Sequence, residues 1–189
     1  SEPALVEDHY EMHQGKQLDI HYQANEQTLR FANAEGEPLV IRLRASDDGV
    51  AFRYEFPGEG AKRFEREITS FDFPASATAG MQRMQVVNTG FEGTNPAYEE
   101  HYEMEIPVGT ESPTEAGWVF PALFHSNGDW VLLSEVGMQS NFHASRLQPE
   151  SPEGEYRIGL PMEGEVFSGG ERLAHDTGAF HSPWRTMKG

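Results

Sequence analysis

The chain of 189 residues contains no cysteine, which excludes disulfide bonds, a thiolate nucleophile and metal sites built from cysteine. It also has no run of about 18 apolar residues, the length that a membrane-spanning helix requires. Basic residues are scarce, since 14 Lys and Arg stand against 31 Asp and Glu, which leaves a formal net charge of -17. Such a charge repels nucleic-acid backbones and anionic membranes, so we expect neither nucleic-acid binding nor membrane insertion.

Amphipathic helices of three or more turns are not evident either, and a period of two dominates the hydrophobic pattern. Strands are expected at residues 18–24, 28–33, 39–45 and 50–56, with turns at "NE", "AEGEP" and "SDDG" between them. Further short apolar segments follow, and "SNGDW" (residues 126–130) is typical of a tight hairpin. The sequence therefore predicts a single all-β domain over residues 1–189, an antiparallel β-sandwich of two packed sheets.

Motifs for common chemistry are also missing. The sequence contains no phosphate-binding glycine loop with its lysine, no nucleophile elbow, no HExxH and no EF-hand loop. His9 and His13 are four residues apart, but no helical pattern surrounds them. We therefore interpret both as solvated histidines rather than as metal ligands.

Acidic residues are concentrated in "AYEEHYEMEI" (residues 97–106). In a strand, Glu99, His101 and Glu103 would share one wholly ionisable face, as on an ordinary solvent-facing strand. Glu103 and Glu105 are assigned to solvent. Glu135 is a second candidate, because it follows the apolar run "WVLLS" and a buried carboxylate needs a partner, a metal or a cavity. Alternatively, the strand leaves the core at that point and Glu135 is exposed.

Several segments together resemble the N-terminal domain of glycoside hydrolase family 97, the bacterial α-glucosidases and α-galactosidases. They are "DDGVAFRYEFP" (47–57), "YEEHY" (98–102), "LLSEVGMQSNFHASRL" (132–147) and "SPWRTM" (182–187). The resemblance implies a β-supersandwich domain of a periplasmic or secreted bacterial enzyme, followed by a catalytic (β/α)8 barrel. It further implies a fragment that lacks the first strands and the barrel, with residues 176–189 as the start of the linker.

The same resemblance implies a calcium ion in the active site, held by several barrel glutamates and one glutamate of the N-terminal domain. The family pattern is a glutamate followed three residues later by a tyrosine, which Glu99 and Tyr102 match. Glu100 is one register away and remains an alternative ligand. Glu135 is expected to be a structural group or to support a metal ligand.

The resemblance places the domain beside its catalytic partner. Trp184 and Arg185 are expected at the interface with the barrel, and an oligosaccharide substrate is expected between the two domains. The catalytic acid and its base or nucleophile would lie in the barrel, so this chain is expected to complete the pocket without hydrolysing a substrate itself.

A second hypothesis is a free-standing carbohydrate-binding or adhesive β-sandwich, in which exposed tryptophans stack on sugars. Trp118, Trp130 and Trp184 are the candidates. Trp118 and Trp130 lie in apolar strand patterns, so we expect core packing for both of them.

Overall fold

A computed structural model describes residues 2–86, 101–166 and 170–189 of the chain. Nearly all regular structure in these ranges is β, and a 3-10 turn at Pro152–Gly154 is the helical element described. No described helix is long and apolar enough to cross a membrane. The described strands are β1 (Ala4–Glu11), β2 (Asp19–Ala32), β3 (Pro38–Ser46), β4 (Gly49–Phe56), β5 (Lys62–Arg63), β6 (Ser70–Asp72), β7 (Thr78–Arg83), β8 (Tyr102–Pro107), β9 (Trp118–Ser126), β10 (Asp129–Val136), β11 (Arg146–Leu147), β12 (Glu155–Gly159), β13 (His175–Asp176), β14 (Phe180–His181) and β15 (Trp184–Lys188).

Thirteen of these strands belong to one continuous sheet. Its main path runs β1-β2-β3-β4-β15-β10-β9-β11-β12-β6, with β14 beside β4, β7 beside β9, and β8 beside β7. The strand pairs are antiparallel, and β5 pairs separately with β13. The predicted all-β antiparallel sandwich is confirmed.

The main core lies where distant parts of this sheet face one another. Phe124 of β9 meets Tyr156 of β12, with ring centroids 5.0 Å apart, and Phe73 stacks on Phe124 at 3.8 Å. Trp118, Met81 and Leu133 are fully buried in the same cluster. Phe52 of β4 also lies against Phe71 of β6, with ring centroids 6.5 Å apart, although five strands separate β4 from β6 in the sheet order. The sheet therefore folds over its own apolar interior, as sandwich packing requires.

The turns are predicted correctly in part. Asn127 and Gly128 adopt φ of 53° and 92° between β9 and β10, as a two-residue hairpin requires. The turns after β2 and β3 are also confirmed. The turn predicted at Asn25 and Glu26 is wrong, because β2 runs without interruption through both residues. Glu26 accepts hydrogen bonds from Arg42 and Arg44 of β3, which hold this polar position inside the strand.

The C-terminal segment differs from the linker expected over residues 176–189. β15 pairs with β10 on one side and with β4 on the other, so it is an interior strand of the sheet. Arg185 has no exposed surface. A charged residue on the buried face breaks the apolar alternation of this strand, and the sequence pattern therefore did not reveal it.

β1 and the first part of β2 form a two-stranded extension, which we call the β1–β2 ribbon (residues 4–24). β1 pairs with residues 19–26 of β2, whereas β3 pairs with residues 25–32. The ribbon therefore extends past the end of β3, which pairs with β2 only over residues 25–32. The sequence does not predict β1. Most of its residues are exposed, so the alternation of apolar and polar residues along this strand is weak.

Candidate functional site

The two candidate calcium ligands, Glu99 and Glu100, lie outside the described residues. The tyrosine paired with them in sequence, Tyr102, begins β8, and its hydroxyl donates to the Pro121 carbonyl at 3.3 Å. This contact links the start of β8 to β9. Glu105 is exposed, as expected.

Glu103, also assigned to solvent by the sequence, is partly buried in β8. Its Oε1 lies 3.9 Å from the guanidinium of Arg83 on the neighbouring strand. Opposite charges on adjacent strands of one sheet face attract weakly at this distance. Glu103 is therefore a partly buried member of the sheet rather than a freely solvated carboxylate.

Glu135 is buried, with 6% of its side chain exposed, so the alternative of a solvated Glu135 is wrong. One carboxylate oxygen accepts a hydrogen bond from Arg185, its cross-strand neighbour in β15. The other oxygen accepts the backbone N–H of Ser145 at 3.1 Å. Both oxygens of Glu135 therefore have protein donors within this chain.

Arg185 is the centre of what we call the buried arginine cluster, formed by Glu67, Glu135, Ser145 and Arg185. Its Nε and Nη2 donate to the two oxygens of Glu67 at 3.1 and 2.7 Å, and Nη2 also donates to Ser145 Oγ at 2.9 Å. Burial alone would lower the pKa of Arg185, but the bonds and charges of Glu67 and Glu135 raise it. The cluster therefore keeps a permanent cation inside the fold and joins β15 to β10.

A cavity of about 590 Å³ with both apolar and polar walls lies beside this cluster, and its polar lining includes Glu135, His143, Arg146 and Glu165. Arg146 and Glu165 form a buried ion pair on its wall. His143 Nδ1 accepts the N–H of Ala174 at 3.0 Å. Burial first, and then the nearby arginines, lower the pKa of His143 to about 4. His143 is therefore neutral at pH 7 and carries its proton on Nε2.

Trp184, the other predicted interface residue, is half-buried at the edge of β15. The guanidinium carbons of Arg44 and Arg53 each lie 4.6 Å from its ring centroid, within cation–π range. The ring also lines a shallow surface cavity of about 280 Å³ beside Val50 and Val136, whose side chains are 45% and 48% exposed. The indole ring of Trp184 is thus packed against two arginines of the same chain, and part of its surface remains exposed to solvent.

The arginines beside Trp184 belong to a ladder of ion pairs across β2, β3 and β4. Arg42 donates to Glu55 at 2.7 and 3.0 Å and also to Glu26, and Arg53 donates to Glu55 at 2.6 and 2.8 Å. The hydrogen bonds of Arg42, and then those of Arg53, lower the pKa of Glu55 to about 2. This ladder stiffens the sheet face on which Trp184 rests.

The other two tryptophans lie in different environments. Trp118 is fully buried, as expected. The core position expected for Trp130 is wrong, because its side chain is 51% exposed and stacks on His125 with centroids 4.3 Å apart. Trp130 is the second residue of β10, close to the hairpin turn, and the strand becomes fully buried only at Leu133.

The fold and the cluster define an antiparallel β-sandwich domain in which most charged groups of the interior bind one another. Residues 1–188 match the sequence model described as Glycosyl-hydrolase 97 N-terminal, and the chain belongs to this family.

In two relatives, about a third of the residues aligned with this chain are identical to it. A probable retaining alpha-galactosidase of Streptomyces bingchenggensis (strain BCW-1) is 30% identical over 98% of this chain. A crystal structure of a beta-arabinopyranosidase is 32% identical over 98% of this chain, with a TM-score of 0.90.

A glycoside hydrolase family 97 enzyme from Pseudoalteromonas sp. strain K8, in complex with acarbose, has the same fold, with a TM-score of 0.74 at 24% identity over 99% of this chain. The chain spans only 26%, 30% and 26% of the length of these three proteins.

Proposed function

We propose that this chain is the accessory N-terminal domain of a calcium-dependent, exo-acting α-glycosidase. The observation that carries the proposal is the family match over residues 1–188, by a chain that corresponds to about a quarter of its curated relative. In this proposal a downstream (β/α)8 barrel of the same polypeptide supplies the catalytic carboxylates. The domain completes one wall of the substrate pocket, and the enzyme is periplasmic or secreted.

Docking onto the barrel is proposed to use the surface around Trp184. A half-exposed aromatic ring beside exposed Val50 and Val136 provides the apolar centre that domain interfaces commonly have. Arg185 contributes from beneath this surface, since it is fully buried and holds β15 in place. In this proposal Trp184 contacts the barrel directly and Arg185 positions it.

Glu99 is proposed as the carboxylate that this domain donates to calcium, with Glu100 as the alternative. Calcium takes six to eight oxygen ligands, and no group of three or more carboxylates lies together in the described ranges. The described residues therefore do not fit a complete calcium shell, and other parts of the protein must supply most ligands. When bound, calcium would supply charge that orients carboxylates and polarises sugar oxygens.

A galactose-configured oligosaccharide is proposed as the substrate class. The two relatives at 30% and 32% identity are named for alpha-galactosidase and beta-arabinopyranosidase activity. β-L-Arabinopyranosides have the ring stereochemistry of α-D-galactosides without the exocyclic carbon, so one pocket shape can serve both. We therefore expect the complete protein to prefer aryl α-galactosides to aryl α-glucosides.

The experiment is kinetic and uses the complete protein. The wild type should hydrolyse aryl α-galactoside, lose turnover in EGTA and regain it with calcium. Glu99→Gln should lower turnover and raise the calcium concentration needed for half-maximal activity, whereas the matched control Glu105→Gln should change neither. An activity that EGTA leaves intact, or unchanged calcium dependence in Glu99→Gln, would contradict the proposal.

A free-standing sugar-binding module is the second candidate, and the exposed Trp130, stacked on the half-buried His125, favours it. An exposed indole beside a second ring could stack on a sugar face. Under this candidate the chain alone would bind galacto-oligosaccharides with sub-millimolar affinity without calcium, and Trp130→Ala would abolish that binding. The accessory-domain proposal expects no such affinity.

A further inference from the structure

The β1–β2 ribbon brings two histidines and an aspartate together on one face. His9 and His21 are directly opposite one another, and Asp19 lies two residues before His21, on the same face of the strand. Asp19 Oδ1 is 2.5 Å from His9 Nε2, and Asp19 Oδ2 is 3.3 Å from His21 Nε2. The two imidazole rings stack nearly parallel, with centroids 4.0 Å apart. The ribbon therefore brings three side chains of metal-ligand type close to one another.

We propose that His9, Asp19 and His21 bind a first-row transition-metal ion such as Zn²⁺. Their ligand atoms all lie within 4.8 Å of one another. Zinc bonds nitrogen and carboxylate oxygen at about 2.0–2.2 Å, so ligand atoms around a tetrahedral ion are roughly 3.4 Å apart. The 3.3 Å between Asp19 Oδ2 and His21 Nε2 is close to that spacing, whereas Asp19 Oδ1 and His9 Nε2 are 2.5 Å apart in a hydrogen bond that the ion would replace. Because a metal ion lies in the plane of each imidazole that binds it, the stacked rings must rotate on binding, and the exposure of both side chains permits this.

The remaining coordination positions and the local charge also suit a cation. Glu11 is directly opposite Asp19, and Glu7 precedes His9 by two residues, so both carboxylates share this face. A water molecule can supply a fourth ligand. The face is negative within a chain of net charge -17, which raises the local concentration of cations.

Two imidazole donors distinguish this site from the calcium proposal. Calcium is a hard cation that prefers oxygen ligands, whereas imidazole suits zinc, copper and nickel. The ribbon site therefore selects a different metal and uses none of the proposed calcium ligands. An ion bound here would join β1 to β2, and so would stabilise the ribbon, which β3 does not support over residues 19–24.

Zinc titration of the full chain tests the proposal. The chain is produced without a histidine tag, treated with a chelator and titrated with Zn²⁺ in a calorimeter. The wild type should bind zinc saturably. His9→Gln, His21→Gln and Asp19→Asn should each weaken binding by at least about tenfold, as much as loss of a supporting group costs at metal sites. His175→Gln is the matched control, since His175 is also an exposed strand histidine, and it should leave zinc affinity unchanged.

Copper spectroscopy gives a second measurement that does not depend on affinity. Electron paramagnetic resonance of the Cu²⁺-loaded wild type should show coupling to two imidazole nitrogens, reduced to one in His9→Gln. Circular dichroism verifies that each variant is folded, which the exposure of all three side chains favours. The proposal is overturned if the wild type shows no saturable zinc binding up to about 0.1 mM. Equal zinc affinity in the wild type and the three site variants overturns it as well.

Discussion

Replacing Arg185 with methionine should destabilise the domain far more than the loss of an ordinary surface charge. The guanidinium has no exposed surface, and its carboxylate partners, Glu67 and Glu135, have only 2% and 6% of their side chains exposed. Removing the cation from such a cluster leaves buried carboxylates without their counter-charge, which costs about 3–5 kcal/mol. With a change of about 2–4 °C per kcal/mol for a domain of this size, the melting temperature should fall by roughly 6–20 °C.

The assay is urea and thermal unfolding followed by circular dichroism, with a matched surface variant as the control. Arg157→Met removes an arginine from the exposed pair with Glu155, where the side chains are 51% and 34% exposed. That change should cost far less than Arg185→Met, because solvent screens the exposed pair. A loss below about 1 kcal/mol in Arg185→Met, or a loss equal to that of Arg157→Met, would refute the reasoning.

A compensating variant separates the charge effect from loss of packing. Neutralising both carboxylates in the background of Arg185→Met, by Glu67→Gln and Glu135→Gln, removes the uncompensated charges while the volume hardly changes. We expect this triple variant to recover at least half of the lost free energy of unfolding. A triple variant no more stable than Arg185→Met would mean that packing, rather than charge, dominates the cluster.

Three further predictions concern pH and backbone fit. The pKa of Glu55 is lowered from 4.5 to about 2, so its ionised carboxylate contributes stability above pH 4.5 that is lost as the pH falls towards 2. Between pH 4.5 and pH 2 the free energy of unfolding should therefore fall by about 2 kcal/mol less in Glu55→Gln than in the wild type. The pKa of His143 is lowered from 6.5 to about 4, so the stability that neutral His143 contributes is present above pH 6.5 and is lost on acidification towards pH 4. In His143→Gln the free energy of unfolding should therefore depend less on pH between 6.5 and 4 than in the wild type. Gly117→Ala would place a Cβ 2.0 Å from the Leu147 carbonyl oxygen at a φ of +86°, and it should lower the free energy of unfolding, measured by chemical denaturation, by several kcal/mol. Gly36 has a similar φ of +85° but no atom within 4 Å of such a Cβ, so Gly36→Ala should cost only about 1–2 kcal/mol.

Local patterns in the sequence predict the strands well where one face is apolar and the turn residues are distinctive. β3, β4 and the β9–β10 hairpin are of this kind, since alternation and the Asn127-Gly128 pair specify them within a few residues. The sequence does not predict β1 or the middle of β2, because neither has an apolar face or distinctive turn residues. Their residues are exposed or bind ions across strands, so neither hydrophobic period marks them.

The sites depend on contacts that no local pattern contains. The position of Glu135 after an apolar run indicates that it needs a partner, and in the structure its buried carboxylate is paired with Arg185. Its partners could not be named, because Arg185 is 50 residues away and Glu67 meets Arg185 across 118 residues. His9 and His21 likewise come together only through the register of β1 against β2, a strand pair that was not predicted.

Direct calcium binding to the complete protein tests the central proposal, a domain that donates one carboxylate to a metal held mainly by its partner. Calorimetric titration should give a calcium affinity for Glu99→Gln at least about tenfold weaker than that of the wild type, with the Glu105→Gln control unchanged. If Glu100→Gln shows this loss and Glu99→Gln does not, the ligand is the neighbouring carboxylate. Wild-type affinity in both Glu99→Gln and Glu100→Gln would contradict the account.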